Sequence, residues 1–197
     1  VLVSNFLRFF YCLYPFKEFK WRFLLRKLRV IKLLVLDVDG VLTDGGLWIN
    51  SEGQTIKRFD VKDGLALKLL QKIGLEIVFL SGAEHKSTKA RAKQLGIKYC
   101  YVGIKDKYKM LKDLQKQLNI PISKTAYIGD DINDIVVKPL VAIFFAPLNA
   151  ADTIIPKTDM VLSKKGGRGA IRELAERILI AKKIWNHFSK NGWKKKN

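Results

Sequence analysis

The chain is poor in cysteine and contains no long hydrophobic run. Its 197 residues include two cysteines, Cys12 and Cys100, which lie far apart and form no metal-binding spacing. A disulfide framework is therefore not expected, and a reducing cytoplasm is the default compartment. No uninterrupted apolar stretch reaches the roughly 20 residues that a membrane-spanning helix requires. The apolar core and the small-residue cleavage site of a signal peptide are also missing.

Acidic residues are scarce relative to basic ones. The chain has 18 Asp and Glu against 37 Lys and Arg, which gives a formal net charge of +19. Much of the excess lies at the two ends: residues 1–32 carry eight Lys or Arg and one acid, and residues 182–197 carry six Lys and no acid. Such a charge can attract nucleic acid or an anionic membrane. Because neither end contains a known nucleic-acid-binding motif, we expect no nucleic-acid partner and interpret the ends as solvated.

Residues 1–31 form a basic extension rich in aromatic side chains, which Arg8, Pro15 and Lys17 interrupt. Such a segment could lie on a membrane surface, pack on the domain as a helix, or extend as poorly ordered chain. We expect one of the last two. The sequence then divides into this extension, a domain over residues 32–183 and a Lys-rich tail over residues 184–197.

Predicted strands and helices alternate from residue 32 onward. Buried runs and helical periodicity predict strands at 32–37, 75–82, 97–103, 125–131, 141–146 and 160–163, a β-hairpin at 47–60, and helices at 63–74, 86–96, 105–119 and 170–188. This alternation predicts an α/β fold with a mainly parallel sheet. In such sheets, ligands bind beyond the carboxyl ends of the strands.

Polar side chains follow three of these strands or open the next helix. In chain order they are Asp37, Asp39, Ser81, Lys107, Asp130, Asp131 and Asp134. Each motif alone is typical of turns, caps or solvated surface, but together they should meet at one edge of the sheet. Clustered carboxylates repel one another and raise each other's pKa. A divalent cation removes that cost, and an oxygen-only ligand set is typical of Mg²⁺.

The motifs LDVDGVLTDG, KRFDVKDGLALKLL, LSG, RAKQLGI, GIKDK, YIGDDINDI and KKGGRGAIREL follow one another in this order. Together they resemble the haloacid dehalogenase superfamily of phosphatases. Within it they resemble the 3-deoxy-D-manno-octulosonate 8-phosphate phosphatase family, over residues 32 to about 183. The resemblance implies a Rossmann-like core without a cap domain, in which the 47–60 hairpin serves as a small flap. It also implies Mg²⁺-dependent hydrolysis of a sugar-acid phosphate for lipopolysaccharide precursor synthesis, by a cytoplasmic homotetramer whose hairpins meet.

The resemblance assigns the chemistry to three acids. Asp37 would be the nucleophile and form an aspartyl-phosphate. Asp39 would protonate the leaving alcohol and then activate water. The Asp37 carboxylate, the Asp39 carbonyl and Asp130 would bind Mg²⁺.

The resemblance assigns the phosphoryl oxygens to Ser81, Lys107 and nearby backbone N–H groups. Asp134 would orient Lys107 or metal-bound waters, and Asp131 could share that role. Flexible glycines in the C-terminal motif, Gly166, Gly167 and Gly169, would lie at an active site.

Substrate contacts follow from the same resemblance. They are Asp39, Asp60, Val61, Lys62, Asp63, Gly64, Lys68, Arg91, Lys107 and Asn133. One position departs from the family pattern, because Ala83 stands where an Arg is common and Glu84 follows it. Lys86 could replace the missing cation. This departure leaves a related nonulosonate 9-phosphate open as the substrate.

Two non-enzymatic alternatives use the same residues. A receiver-like signalling domain would be phosphorylated on Asp37, but it gains from a long-lived acyl phosphate and has no use for an acid/base such as Asp39. A basic nucleic-acid or membrane-binding module could retain a silent phosphatase core. The intact set of Asp37, Asp39, Lys107 and Asp130 favours an enzyme.

Overall fold

A single parallel sheet organises residues 23–192, which are the residues that the computed structural model describes. Its strands are β1 (Leu33–Leu36), β4 (Glu76–Leu80), β5 (Tyr99–Tyr101), β6 (Thr125–Ile128), β7 (Ile143–Ala146) and β8 (Met160–Val161). They are ordered β5-β4-β1-β6-β7-β8, and each neighbouring pair is parallel. Strands β2 (Trp48–Ile49) and β3 (Thr55–Ile56) form a separate antiparallel hairpin. The predicted α/β fold with a mainly parallel sheet and a small hairpin is confirmed.

Helices cover both faces of the sheet, which explains why the strands are apolar throughout. Along β1, Leu34 and Leu36 join the core on one face, whereas Leu33 and Val35 join the core on the other. The first face is covered by α1 (residues 23–30), α2 (Val61–Lys72), α3 (Lys86–Leu95) and α5 (Ala170–Ala181). The second is covered by α4 (Lys107–Leu118) and a 3-10 segment, Ile132–Leu140.

Helix α1 packs on the domain, which is one of the two arrangements expected for the segment over residues 1–31. Leu24 and Leu28 are buried in the core. Lys182 also donates through Nζ to the carbonyl oxygens of Arg29 and Ile31, at 2.9 Å each. Apolar burial and capping of the end of α1 thus extend the domain before residue 32. Residues 1–22, which carry the rest of the predicted extension, lie outside the described residues.

The predicted closing helix at 170–188 is divided in two. Helix α5 ends at Ala181, Lys183 adopts a left-handed conformation with φ 62°, and α6 (Trp185–Asn191) follows. A left-handed residue cannot continue an α-helix, so the chain changes direction there. Phe188 of α6 then packs into the core, inside the predicted tail. Residues 193–197 lie outside the described part of the chain, and no helix in residues 23–192 could cross a membrane.

The topology brings three strand ends together. Strand β1 lies between β4 and β6, with Leu36 paired to Phe79 on one side and to Ile128 on the other. Strand order reverses at this point of the sheet, where open α/β sheets form a crevice beyond the carboxyl ends. The residues that follow β1, β4 and β6 therefore share one cleft.

Candidate active site

A cleft of about 230 Å³ opens at the carboxyl edge of the sheet. Its lining contains six predicted site residues and two further residues of the β4 turn: Asp37, Asp39, Ser81, Gly82, Ala83, Asp130, Asp131 and Asn133. Backbone bonds fix the acids at the strand end, since Asp37 N–H donates to the carbonyl of Ile128 at 3.0 Å. The predicted convergence of the strand ends therefore occurs within one chain.

The turn after β1 depends on a glycine. Gly40 adopts φ +89°, which other L-residues rarely adopt. A Cβ atom on Gly40 would lie 1.9 Å from Oδ2 of Asp130. The missing side chain thus lets the chain reverse after Asp39 and lets the Asp130 carboxylate approach the β1 turn.

Lys107 is the buried centre of an ionic network. Its Nζ donates to Oδ1 of Asp37 at 2.5 Å and to Oδ1 of Asp134 at 2.7 Å. The Lys107 side chain is 3% exposed, and those of its partners are 7% and 0% exposed. Helix α4 begins at Lys107, so the first turn of this helix places the ammonium group between the Asp37 and Asp134 carboxylates.

Both carboxylate oxygens of Asp134 accept hydrogen bonds from donors of the protein. Besides the Lys107 bond, Oδ1 accepts from Tyr127 Oη at 2.5 Å, and Oδ2 accepts from the backbone N–H of Asp130 at 3.0 Å. Asp134 therefore holds both Lys107 and the loop that carries Asp130. Tyr127 was not predicted as a site residue, because its position inside the apolar strand β6 made it look like an ordinary core residue.

Burial, together with the charges of the network, raises the carboxylate pKa values. Burial, followed by the Asp134 charge, raises the pKa of Asp37 well above its usual range, and Lys107 opposes this shift only in part. Burial, then Asp134 and Asp131, raises the pKa of Asp130 to about 7. Burial would lower the pKa of Lys107, but Asp37 and Asp134 outweigh it and raise that pKa. One ammonium therefore faces more negative charge than it can neutralise.

These residues fit a hard divalent cation. Carboxylate oxygens of Asp37, Asp130 and Asp134 lie within 4.8 Å of one another, and the set contains no His or Cys. Oxygen ligands of this kind suit Mg²⁺. Because the Asp134 oxygens are already occupied by protein donors, Asp37 and Asp130 are the side chains available to a metal ion. A cation would also stabilise the charged forms of these two carboxyl groups, whose pKa values are raised by burial and then by neighbouring acids.

Several predicted substrate residues do not line this cleft. Asp60 is the N-cap of α2 and accepts from the backbone N–H of Lys62 at 2.7 Å. Arg91 donates to the Asp60 carbonyl at 3.0 Å and occupies the space beside Gly64, where a Cβ atom would lie 2.3 Å from the guanidinium. Val61, Lys62 and Lys68 are exposed on α2, away from the cleft lining.

Asp63 is also absent from the cleft, because its side chain serves another helix. It is 1% exposed and accepts from the backbone N–H groups of Gly169 at 3.3 Å and Arg172 at 2.8 Å, at the start of α5. Burial raises its pKa to about 6, although the Arg172 bond opposes the shift. The geometry makes Asp63 a cap for α5.

The glycine-rich segment packs tightly on the β1 turn, so the prediction that it is a flexible tail is wrong for Gly166 and Gly167. Both residues are buried. A Cβ on Gly166 would lie 1.7 Å from the carbonyl oxygen of Gly40, and one on Gly167 would lie 2.5 Å from the carbonyl carbon of Thr43. These glycines are required by backbone-to-backbone contact.

Lys57 contacts the predicted acid/base, and sequence reasoning missed it. Its Nζ lies 2.8 Å from Oδ2 of Asp39, as a hydrogen bond, and 2.6 Å from Oδ1. The Lys57 side chain is 0% exposed and that of Asp39 is 31% exposed. A lysine beside an exposed hairpin resembles a solvated residue in the sequence, so no local pattern indicated this pair.

Comparisons with known proteins agree with this arrangement. Two haloacid dehalogenase-like hydrolase family models match residues 54–136 and 103–174. The 3-deoxy-D-manno-octulosonate 8-phosphate phosphatase of Haemophilus influenzae is 40% identical over 156 residues, which cover 79% of this chain and 87% of that protein.

Two solved structures share the fold. A phosphatase of the same name from Moraxella catarrhalis, in complex with magnesium, phosphate and 3-deoxy-D-manno-octulosonate, is 36% identical with a TM-score of 0.83, over 86% of this chain and 97% of that one. The cobalt-bound Haemophilus influenzae phosphatase is 39% identical with a TM-score of 0.79, over 82% and 95%. The chain therefore belongs to the 3-deoxy-D-manno-octulosonate 8-phosphate phosphatase family of the haloacid dehalogenase-like hydrolases.

Proposed function

We propose that this protein is a Mg²⁺-dependent phosphatase that hydrolyses 3-deoxy-D-manno-octulosonate 8-phosphate to the free sugar acid and phosphate. The observation that carries this proposal is the buried network in which Lys107 joins Asp37 to Asp134, with Asp39 beside it in the same cleft. A relative with 36% identity binds magnesium, phosphate and the sugar-acid product.

Asp37 acts as the nucleophile in this proposal. One carboxylate oxygen attacks phosphorus, the bond from phosphorus to the sugar oxygen breaks, and an aspartyl-phosphate forms. Lys107 keeps the carboxylate directed into the cleft through its 2.5 Å bond to Oδ1. Ser81 and the adjacent backbone N–H groups border the cleft where phosphoryl oxygens would lie.

Asp39 acts as the acid and then as the base. Its carboxyl proton passes to the sugar oxygen as that oxygen leaves. In the second step, the carboxylate accepts a proton from the water molecule that attacks the aspartyl-phosphate, which returns Asp37 and releases phosphate. Asp39 is partly exposed and lines the cleft, so both protons can be exchanged there.

Mg²⁺, held by the Asp37 carboxylate, the Asp39 carbonyl and Asp130, would offset the charge of the phosphate so that an anionic nucleophile can approach it. Asp134 positions the metal site indirectly, through its bond to the Asp130 backbone and its bond to Lys107. Asp131 borders the cleft and is the remaining acid of this loop.

A nonulosonate 9-phosphate is the second candidate substrate. Ala83 lines the cleft where an Arg is common in the family, which removes a contact that could select between the two sugar acids. Such a substrate would use the same catalytic residues, so the two candidates differ in specificity and not in chemistry.

We also propose a homotetramer that acts in the cytoplasm and supplies free sugar acid for lipopolysaccharide assembly. The hairpin exposes Trp48 by 70%, Ile49 by 68% and Ile56 by 58%, and apolar surface of this kind favours burial by a neighbouring subunit. Lys62, Lys68 and Arg91 do not line the cleft of their own chain. In a tetramer, these residues could instead contact the substrate in the cleft of a neighbouring subunit.

A panel of sugar-acid phosphates tests the proposal, with phosphate release measured with and without Mg²⁺. We expect the octulosonate ester to have the highest kcat/KM, and Asp37→Asn to abolish its turnover while circular dichroism stays unchanged. A tenfold or greater preference for a nonulosonate 9-phosphate would refute the named substrate. Activity of Asp37→Asn within about tenfold of wild type would refute the covalent mechanism.

A further inference from the structure

We infer that Lys57 is a positioning residue that holds the Asp39 carboxylate for proton transfer. This inference rests on the proposed phosphatase function. It concerns a residue outside the cleft lining that acts on the reaction through Asp39.

The burial of Lys57 contrasts with that of its neighbours. Ile56, directly before it, is 58% exposed, and Trp48 and Ile49 on the paired strand are more exposed still. Lys57 turns inward from this exposed hairpin, and its side chain is fully buried. A buried ammonium group is costly unless a partner compensates it, and Asp39 provides both oxygens within 2.8 Å.

The pair is asymmetric in a way that suits catalysis. Lys57 lies behind Asp39, away from solvent, whereas Asp39 opens to the cleft. Oδ2 accepts the hydrogen bond from Lys57 at 2.8 Å, and Oδ1, which is buried, lies 2.6 Å from the same Nζ without hydrogen-bond geometry. Lys57 therefore contacts both oxygens and restricts rotation of the Asp39 side chain.

Both half-reactions require this orientation. In the first, the Asp39 proton moves to the ester oxygen as the phosphorus–oxygen bond breaks. In the second, Asp39 accepts a water proton as the water oxygen bonds to phosphorus and the Asp37 oxygen leaves. A displacement of about 1 Å in such a group can cost ~10²-fold in rate.

Lys57 and the adjacent Arg58 make different contacts. Lys57 binds Asp39, whereas Arg58 donates from Nη1 to the carbonyl of Gly167 at 2.9 Å. Arg58 does not touch Asp39 and is 43% exposed, which makes it a matched control at the adjacent position.

The test compares Lys57→Met with Arg58→Met on two esters. We expect Lys57→Met to lower kcat for the sugar-acid phosphate about 100-fold, at the low end of the ~10²–10⁴ for a lost acid/base, with KM within about threefold. With p-nitrophenyl phosphate, whose leaving group needs no proton, the variant should form the aspartyl-phosphate rapidly and hydrolyse it slowly. A burst of about one p-nitrophenol per site should then appear. Arg58→Met should change kcat by less than about threefold.

A double-mutant cycle separates positioning from simple stabilisation. If Lys57 acts through Asp39, adding Lys57→Met to Asp39→Asn should lower kcat no further. Additive losses, a kcat within about threefold of wild type, or equal losses on both esters without a burst would each overturn the inference. Lys57→Arg, which retains the charge, should restore part of the activity.

The outcomes for Lys57 and for the substrate are distinguishable. If the wild-type protein prefers another sugar-acid phosphate, only the named substrate is refuted. The Lys57→Met and Arg58→Met variants are then compared on that preferred ester, and the p-nitrophenyl phosphate measurement stays the same. A crystal structure of Lys57→Met gives a readout that needs no activity. An Asp39 side chain that kept its wild-type rotamer there would overturn the inference.

Discussion

Replacing Lys107 by methionine tests whether the network at the strand ends is held together by one ammonium group. Methionine keeps an unbranched side chain of similar length in the buried position, so the change removes charge and hydrogen bonds with little change in volume. It leaves the Asp37 and Asp134 carboxylates, which are 7% and 0% exposed, without their shared counter-ion. The Tyr127 and backbone donors to Asp134 remain.

The expected cost is large because both partners are buried. Breaking a buried ion pair by removing one member typically costs about 3–5 kcal/mol. For a domain of this size, 1 kcal/mol corresponds to roughly 2–4 °C in Tm, so we expect a decrease of about 6–20 °C. Lys109→Met is the control, since Lys109 is exposed on the same helix and its loss should stay within about 0.5 kcal/mol.

The pH dependence gives the prediction its sign. The pKa of Asp37 is already raised by burial in the folded protein, and the loss of Lys107 removes a group that lowers it. When the pKa of a carboxyl group is higher in the folded than in the unfolded protein, the free energy of unfolding decreases as the pH rises towards and through the folded-state pKa. The deficit of Lys107→Met should therefore shrink as the pH falls.

Urea unfolding at several pH values without Mg²⁺ measures this deficit, and repeating it with Mg²⁺ should recover part of it, because the cation binds the folded state and neutralises the same acids. A deficit below about 1 kcal/mol at pH 8 without Mg²⁺ would refute the reasoning, since it would mean that the carboxylates do not depend on Lys107. A deficit that grew as the pH fell would refute the assigned charge balance.

Three further predictions follow from the cleft and the hairpin. EDTA should abolish activity, and the apparent affinity for Mg²⁺ should weaken about tenfold from pH 8 to pH 6 in calorimetry, because the Asp130 proton, with a pKa of about 7, must leave; a pH-independent affinity would contradict this. The intact protein should be a tetramer in light scattering and Trp48→Lys a folded monomer, because Trp48 is 70% exposed; a wild-type monomer would refute the assembly. Ala83→Arg should lower KM for the octulosonate ester by about 10- to 100-fold, as a charge-assisted bond of about 1.5–3 kcal/mol would, whereas Ala90→Arg on the exposed face of α3 should not.

The strands of the parallel sheet and the position of the cleft could be anticipated because they depend on patterns that are local in the sequence. An apolar run that ends in acids identifies both a strand covered on two faces and its carboxyl end, as β1 and Asp37 illustrate. Parallel strands then bring such ends together whatever the details of packing. The break between α5 and α6 was missed because the apolar periodicity continues across Lys183, where the chain is left-handed, and periodicity alone does not report a single backbone torsion angle.

Two side chains have contacts that local sequence patterns did not indicate, because their partners are distant in sequence. Asp63, in the first turn of α2, was expected to contact the substrate because of the family resemblance, and its carboxylate accepts from Gly169 and Arg172, more than 100 residues away. Lys57 is the opposite case. Its position beside the hairpin is typical of a solvated lysine, but its partner Asp39 lies 18 residues earlier in the chain, before the hairpin. Burial decides both cases, since a buried charge must find a partner wherever the chain brings one. At this site, a charge that is buried although its sequence neighbours are exposed is therefore a stronger indication of a role than the residue type alone, and this contrast separates Lys57 from the exposed lysines of the adjacent helix α2.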